Sequence, residues 1–195
     1  MLMQEKRNKF FDFNKAKEPK KEEKLNELWT SKYIASHFQK IQSLENDLSR
    51  VPTDNEFFFL QTDKAFNAFT FIPWIAKKFF IEEIYASTYS ISRRVVEALQ
   101  ELQQDGKVGE VTLLISDSMI KRNPQTIDNL EAVAKSNANF NIKYYWNHSK
   151  VTLIKTKDHF FVLEGSGNFS ENAQLEQYTF CNDADVYQFR KQIFE

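Results

Sequence analysis

With 195 residues, 42% of them hydrophobic and 27% charged, the chain can bury one ordinary core and is neither fibrous nor disordered throughout. Its 26 basic and 27 acidic side chains leave a net charge of -1, which excludes a surface that coats nucleic acid or anionic membrane wholesale but allows a local basic patch. The lone Cys181 excludes an intramolecular disulfide and a C-x-x-C metal site, and reads as a small buried apolar residue in a reducing compartment. The N-terminus reaches charge by Glu5, and apolar runs stop at four residues, so a cytoplasmic protein with no membrane partner is expected.

Residues 1 to about 25 hold 8 Lys/Arg and 5 Asp/Glu, with Pro19 inside a charged run, and read as a solvated, partly disordered arm. From Leu25 to Leu48 the residues Leu25, Leu28, Ile34, Phe38, Ile41, Leu44 and Leu48 fall at helical spacings. That pattern predicts an amphipathic helix or a broken pair. Residues 1–50 are therefore read as an N-terminal arm, charged and then helical, ahead of a domain over 55–195.

Alternating elements follow. Short strands are expected at Glu56–Gln61 and Ile84–Ser90, with a helix over Pro73–Phe80 between them. Ser92 can cap a helix through Val95, Val96, Leu99 and Leu102 that Gly106 ends. Val111–Ile115 reads as a strand covered on both faces, and Asn123-Pro124 opens a helix with Ile127, Leu130 and Ala134 on one side. This order argues for a layered α/β/α domain with a mixed sheet.

Farther on, Ile142, Tyr144 and Trp146 alternate with polar residues, and the same parity reaches His148 and Lys150. A continuous strand would set both on one face. Thr156-Lys157-Asp158 resembles a hairpin turn, and Phe160–Leu163 returns as a strand into Gly165-Ser166-Gly167-Asn168. A short strand at Tyr178–Cys181 and a helix from Ala184 to Phe194 complete the pattern. The chain ends within that helix, so a continuation beyond Glu195 is a further expectation.

An imidazole at His148, an ammonium at Lys150, a hydroxyl at Ser166 and an amide at Asn168 together make a phosphate site. The imidazole can attack phosphorus or protonate a leaving oxygen near neutral pH. Lysine and asparagine supply donors to non-bridging oxygens, and Gly165 and Gly167 allow close backbone approach.

H-S-K, a short hairpin, then G-S-G-N-F-S resembles the H-x-K... G-S-x-N signature of the phospholipase D superfamily, with Glu176 placed like its following acidic residue. The motif region covers His148 to Phe180, and the segment I-E-E-I-Y-A-S-T-Y-S-I-S resembles the strand-to-helix start of small bacterial and mobile-element members. The likeness extends from about Phe57 to the end. The pattern departs at Lys155, which stands where an aspartate is usual; Asp158 lies three residues too late.

The resemblance implies a metal-independent phosphodiesterase with no cofactor, in which one histidine forms a phosphohistidine and a second protonates the leaving group. Its catalytic set would be His148, Lys150, Asn168, Ser166 and Glu176, with Lys150, Ser166 and Asn168 also contacting substrate. His37 and His159 lack the companion residues, so a homodimer that pairs two motifs is expected, acting on DNA or RNA. A catalytically degenerate module that grips nucleic acid or protein is the alternative, favoured by Lys155. Thr88 and Tyr89 read as strand-end residues, Lys20–Lys24 as solvated, and Arg93-Arg94 as facing either phosphate or water.

Overall fold

In a computed structural model of the chain, the described residues are 34–41, 44–62, 67–170 and 175–195, all within one compact unit over 33–195. Eight strands form one mixed sheet: β1 (Ile34–Ile41), β2 (Glu56–Thr62), β3 (Ile81–Thr88), β4 (Val108–Ser116), β5 (Phe140–Tyr145), β6 (Val151–Thr156), β7 (Phe160–Gly165) and β8 (Gln177–Asn182). Their spatial order is β1-β2-β8-β7-β6-β3-β4-β5. The β3-β4-β5 block is parallel, whereas β6, β7 and β8 run antiparallel to their neighbours.

Helices α1 (Leu44–Asp47), α2 (Phe71–Ala76), α3 (Arg93–Gln104), α4 (Ser118–Arg122) and α5 (Pro124–Ser136) precede β5, and α6 (Ala184–Lys191) follows β8. The apolar stripes of α3 and α5, including Val96, Leu99, Ile127 and Leu130, pack with Ile84, Leu113 and Phe180 in the larger core. On the opposite side Tyr187 of α6 and Phe194 join Leu114, Leu153, Val162 and Cys181. The result is the expected α/β/α layering, with each fully buried large apolar side chain contributing roughly 1.5–3 kcal/mol.

The local signals for α3 and α5 are chemical. Ser92 accepts from the Val95 amide at 3.4 Å, and Asn123 accepts from the Thr126 amide at 3.3 Å with Pro124 at the first turn. Gly106 ends α3 at φ +66°, a conformation that favours glycine.

Two expectations are corrected. Residues 34–41, placed in an amphipathic helix, form β1, parallel to β2. Ile34, Phe38 and Ile41 suit a helix by spacing, but the open edge of β2 offers a ladder of backbone partners that local spacing does not register. Residues 1–33 of the expected arm lie outside the described residues. The strand expected through His148 and Lys150 stops at Tyr145, because residues 146–150 turn from the β5 edge across β4 and β3 to reach β6.

Candidate phosphate site at the sheet edge

The C-terminal ends of β2, β3, β4 and β7 and the N-terminal starts of β6 and β8 share one edge of the sheet. Ligands of open α/β sheets collect at such edges, where strand direction changes. The 146–150 and 165–170 loops both emerge there.

Asn147 fixes the first loop. Its amide nitrogen donates to the Ser87 hydroxyl at 2.8 Å and to the Leu114 and Thr88 carbonyls at 3.3 and 3.4 Å. Its carbonyl accepts from the Ser149 amide at 2.9 Å and hydroxyl at 2.7 Å. His148 is thus held out into solvent over Tyr89, with ring centres 4.8 Å apart. Lys150 Nζ lies 3.3 Å from His148 Nδ1 and donates to the His148 carbonyl at 2.9 Å. An ammonium only donates, so in this contact Nδ1 is the acceptor. Burial holds the Lys150 pKa below the ordinary lysine value, partly opposed by the negative charge of Glu176.

The second loop is anchored on both sides. Thr88 Oγ1 accepts from the Phe169 amide at 3.1 Å and stands 2.9 Å from the Ser90 carbonyl and 3.4 Å from Asn168 Oδ1. Ser166 donates to the buried Glu176 carboxylate and accepts from the Gln177 amide at 3.0 Å. The Thr62 hydroxyl in turn accepts from the Glu176 amide at 2.8 Å. The close approach at Gly167 is to Tyr178, whose hydroxyl and ring fill the space a side chain would need.

The structure therefore brings His148 and Lys150 into contact and ties Asn168 to the same edge through Thr88. Ser166 and Glu176 bond each other beneath the loop. Lys155 sits at the opposite end of β6, 3.0 Å from Glu82 and 3.9 Å from Glu83, so it adds nothing to a basic surface at the site. His159 also lies at that far end, stacked on Phe161 and 3.1 Å from Asn182. Asn147 was missed in the sequence. Its signal was an Asn two residues before a Ser, the spacing of a turn closed by the Asn side chain.

The mixed sheet layered between helices is consistent with a phospholipase D-like α/β fold. No protein-family model and no curated protein matches the chain. Among solved structures it resembles polyphosphate kinase from Porphyromonas gingivalis, with a TM-score of 0.55 and 16% identity over 71% of this chain and 25% of that one. This likeness shows the fold alone, and the chain spans a quarter of that kinase. Weaker likenesses are to phosphatidylserine synthase from Haemophilus influenzae Rd KW20 (TM-score 0.46, 12% identity, 75% of this chain, 39% of that one) and to the archaeal chromatin protein TrmBL2 (0.45, 12%, 71% and 50%). Among the described residues no helix is long and apolar enough to cross a membrane.

Proposed function

We propose that the chain is a phosphodiesterase of the phospholipase D superfamily, a nuclease acting on DNA or RNA through a phosphohistidine in a homodimeric site. The contact of Lys150 with the exposed His148 ring carries this reading. Nε2 of one His148 attacks phosphorus, forming a P–N bond as the P–O bond to the leaving group breaks. The leaving oxygen takes the proton from Nε2 of His148 in the second copy. Water then attacks the phosphorus, the P–N bond breaks, and the second imidazole recovers its proton from that water.

The donating copy is the imidazolium, which is left as a neutral ring once its Nε2 proton has gone, with Lys150 turned from Nδ1 to a phosphoryl oxygen. In the attacking copy the same turn of the ammonium releases the ring to carry its proton on Nδ1 and attack through Nε2. The Asn168 amide supplies a further donor to the same oxygens. No step needs a metal ion.

Turnover of bis(4-nitrophenyl) phosphate by wild type and His148→Ala, with and without chelator, tests the reading. Activity that survives chelation and disappears in the variant is expected. Equal residual rates would remove His148 from the reaction, and two folded but inactive proteins would favour a binding module.

A further inference from the structure

Beside the His148 loop lies a separate cleft of about 480 Å³, lined in part by Ser90, Arg93, Arg94, Arg122, Asn123 and Ser170. Three arginines line it, two from α3 and one from α4. Arg93 is partly neutralised by Glu97 at 2.7 Å, whereas Arg122 donates to neutral oxygens, the Tyr89 carbonyl and the Ser118 hydroxyl, both at 3.2 Å. The Ser90 and Ser170 hydroxyls stand 2.8 Å apart on its wall. Hydroxyls and exposed arginines are the groups that hold a phosphate backbone.

Tyr89 joins this cleft to the reacting imidazole. Its ring centre lies 4.2 Å from the Arg122 guanidinium carbon and 4.8 Å from the centre of the His148 ring. Laid end to end, these spacings put the guanidinium no farther than about 9 Å from the imidazole, within reach of a neighbouring phosphate of one strand. Two residues before His148, Trp146 is 88% exposed. An indole so placed offers a stacking face to an unpaired base, which a duplex keeps within its own stack.

We propose that this cleft is a second phosphate subsite, and that the substrate is a single-stranded polynucleotide with one phosphate at His148 and a neighbouring phosphate on Arg94 and Arg122. The proposal rests on the phosphodiesterase reading for the first of those phosphates. It sets a polyanionic chain against a lipid headgroup, which brings a single phosphodiester.

Binding of a fluorescent oligothymidylate of about ten nucleotides is measured across salt concentrations for wild type, Arg94→Gln/Arg122→Gln and Arg94→Lys/Arg122→Lys. For single strands the slope of log K against log salt changes by about 0.7 for each phosphate that a cation ceases to neutralise, so the glutamine pair should lower the slope by roughly 1.4 and the affinity at least about tenfold. The lysine pair should keep the slope, which separates loss of charge from loss of fold. Trp146→Ala should weaken the same complex about tenfold.

An unchanged slope in the glutamine pair overturns the subsite. So does equal wild-type affinity for the oligonucleotide and for a dinucleotide with one phosphodiester, or binding to phosphatidylglycerol vesicles in place of the oligonucleotide. Tighter binding to duplex than to single strand overturns the choice of substrate. Hydrolysis is read separately. Arginine-dependent binding with every diester left intact refutes the phosphodiesterase reading alone, whereas turnover of bis(4-nitrophenyl) phosphate without an arginine-dependent slope refutes the subsite alone.

Discussion

Lys150 is pulled two ways by its surroundings: burial favours its neutral form, while a phosphate contact requires the ammonium. Because its pKa is lowered, the proton leaves at a lower pH than from an exposed lysine, and activity should fall on the alkaline side below the ordinary lysine range. In Lys150→Arg that limb should disappear, since guanidinium stays charged; a pH profile of kcat/KM, which reports the free protein, decides it. Lys150→Ala should lose roughly a hundredfold or more in turnover, about 3 kcal/mol of barrier, with an intact circular dichroism spectrum. Gly167 presents a packing constraint instead. A methyl group there would meet the Tyr178 hydroxyl and lie 2.8 Å from its Cζ, so Gly167→Ala should cost about 1–3 kcal/mol in thermal unfolding. Gly167→Ala/Tyr178→Phe should recover part of that loss, and a double variant no better than additive would mean the contact is not the cause.

At the scale of the element, the loop after β5 is held by one amide. Asn147→Ala leaves the Leu114 and Thr88 carbonyls without that donor and frees His148 to move, so turnover should drop about a hundredfold, the cost of a 1 Å misplacement. Stability should fall by about 1–3 kcal/mol. On β6, restoring the usual acidic residue should harm the chain: Lys155→Asp would set a carboxylate beside Glu82 and Glu83. Thermal unfolding should show a loss of about 1 kcal/mol at low ionic strength, shrinking as added salt screens the repulsion. The elements that could be read from sequence are those specified locally, α3 by Ser92 and Gly106, α5 by Asn123 and Pro124, and β4 by its apolar run. β1 could not, because its conformation is set by β2, and the same is true of the turn at 146–150, whose partners Ser87 and Leu114 lie far away in sequence. The residue types of the candidate site were legible, but their placement by Asn147, Thr88 and Glu176 was not.

For the whole molecule, a single His148 cannot be nucleophile and leaving-group acid in the same step, so the active species should be a dimer. Mass measured across dilution should show it, and activity per chain should fall as the dimer dissociates; a fully active monomer would contradict the paired site. The sheet order carries another consequence. β8 lies between β2 and β7, so among the described strands the β1–β2 pair joins the rest only through the one latest in sequence. During translation, Phe58 and Leu60 on one bank and Phe161 and Leu163 on the other wait for Tyr178 and Phe180 to arrive. Such distant pairing is slow, and a nascent chain caught with that seam open exposes aromatic surface of the kind chaperones retain. The arrival of β8, rather than hairpin formation, then sets when this sheet can close.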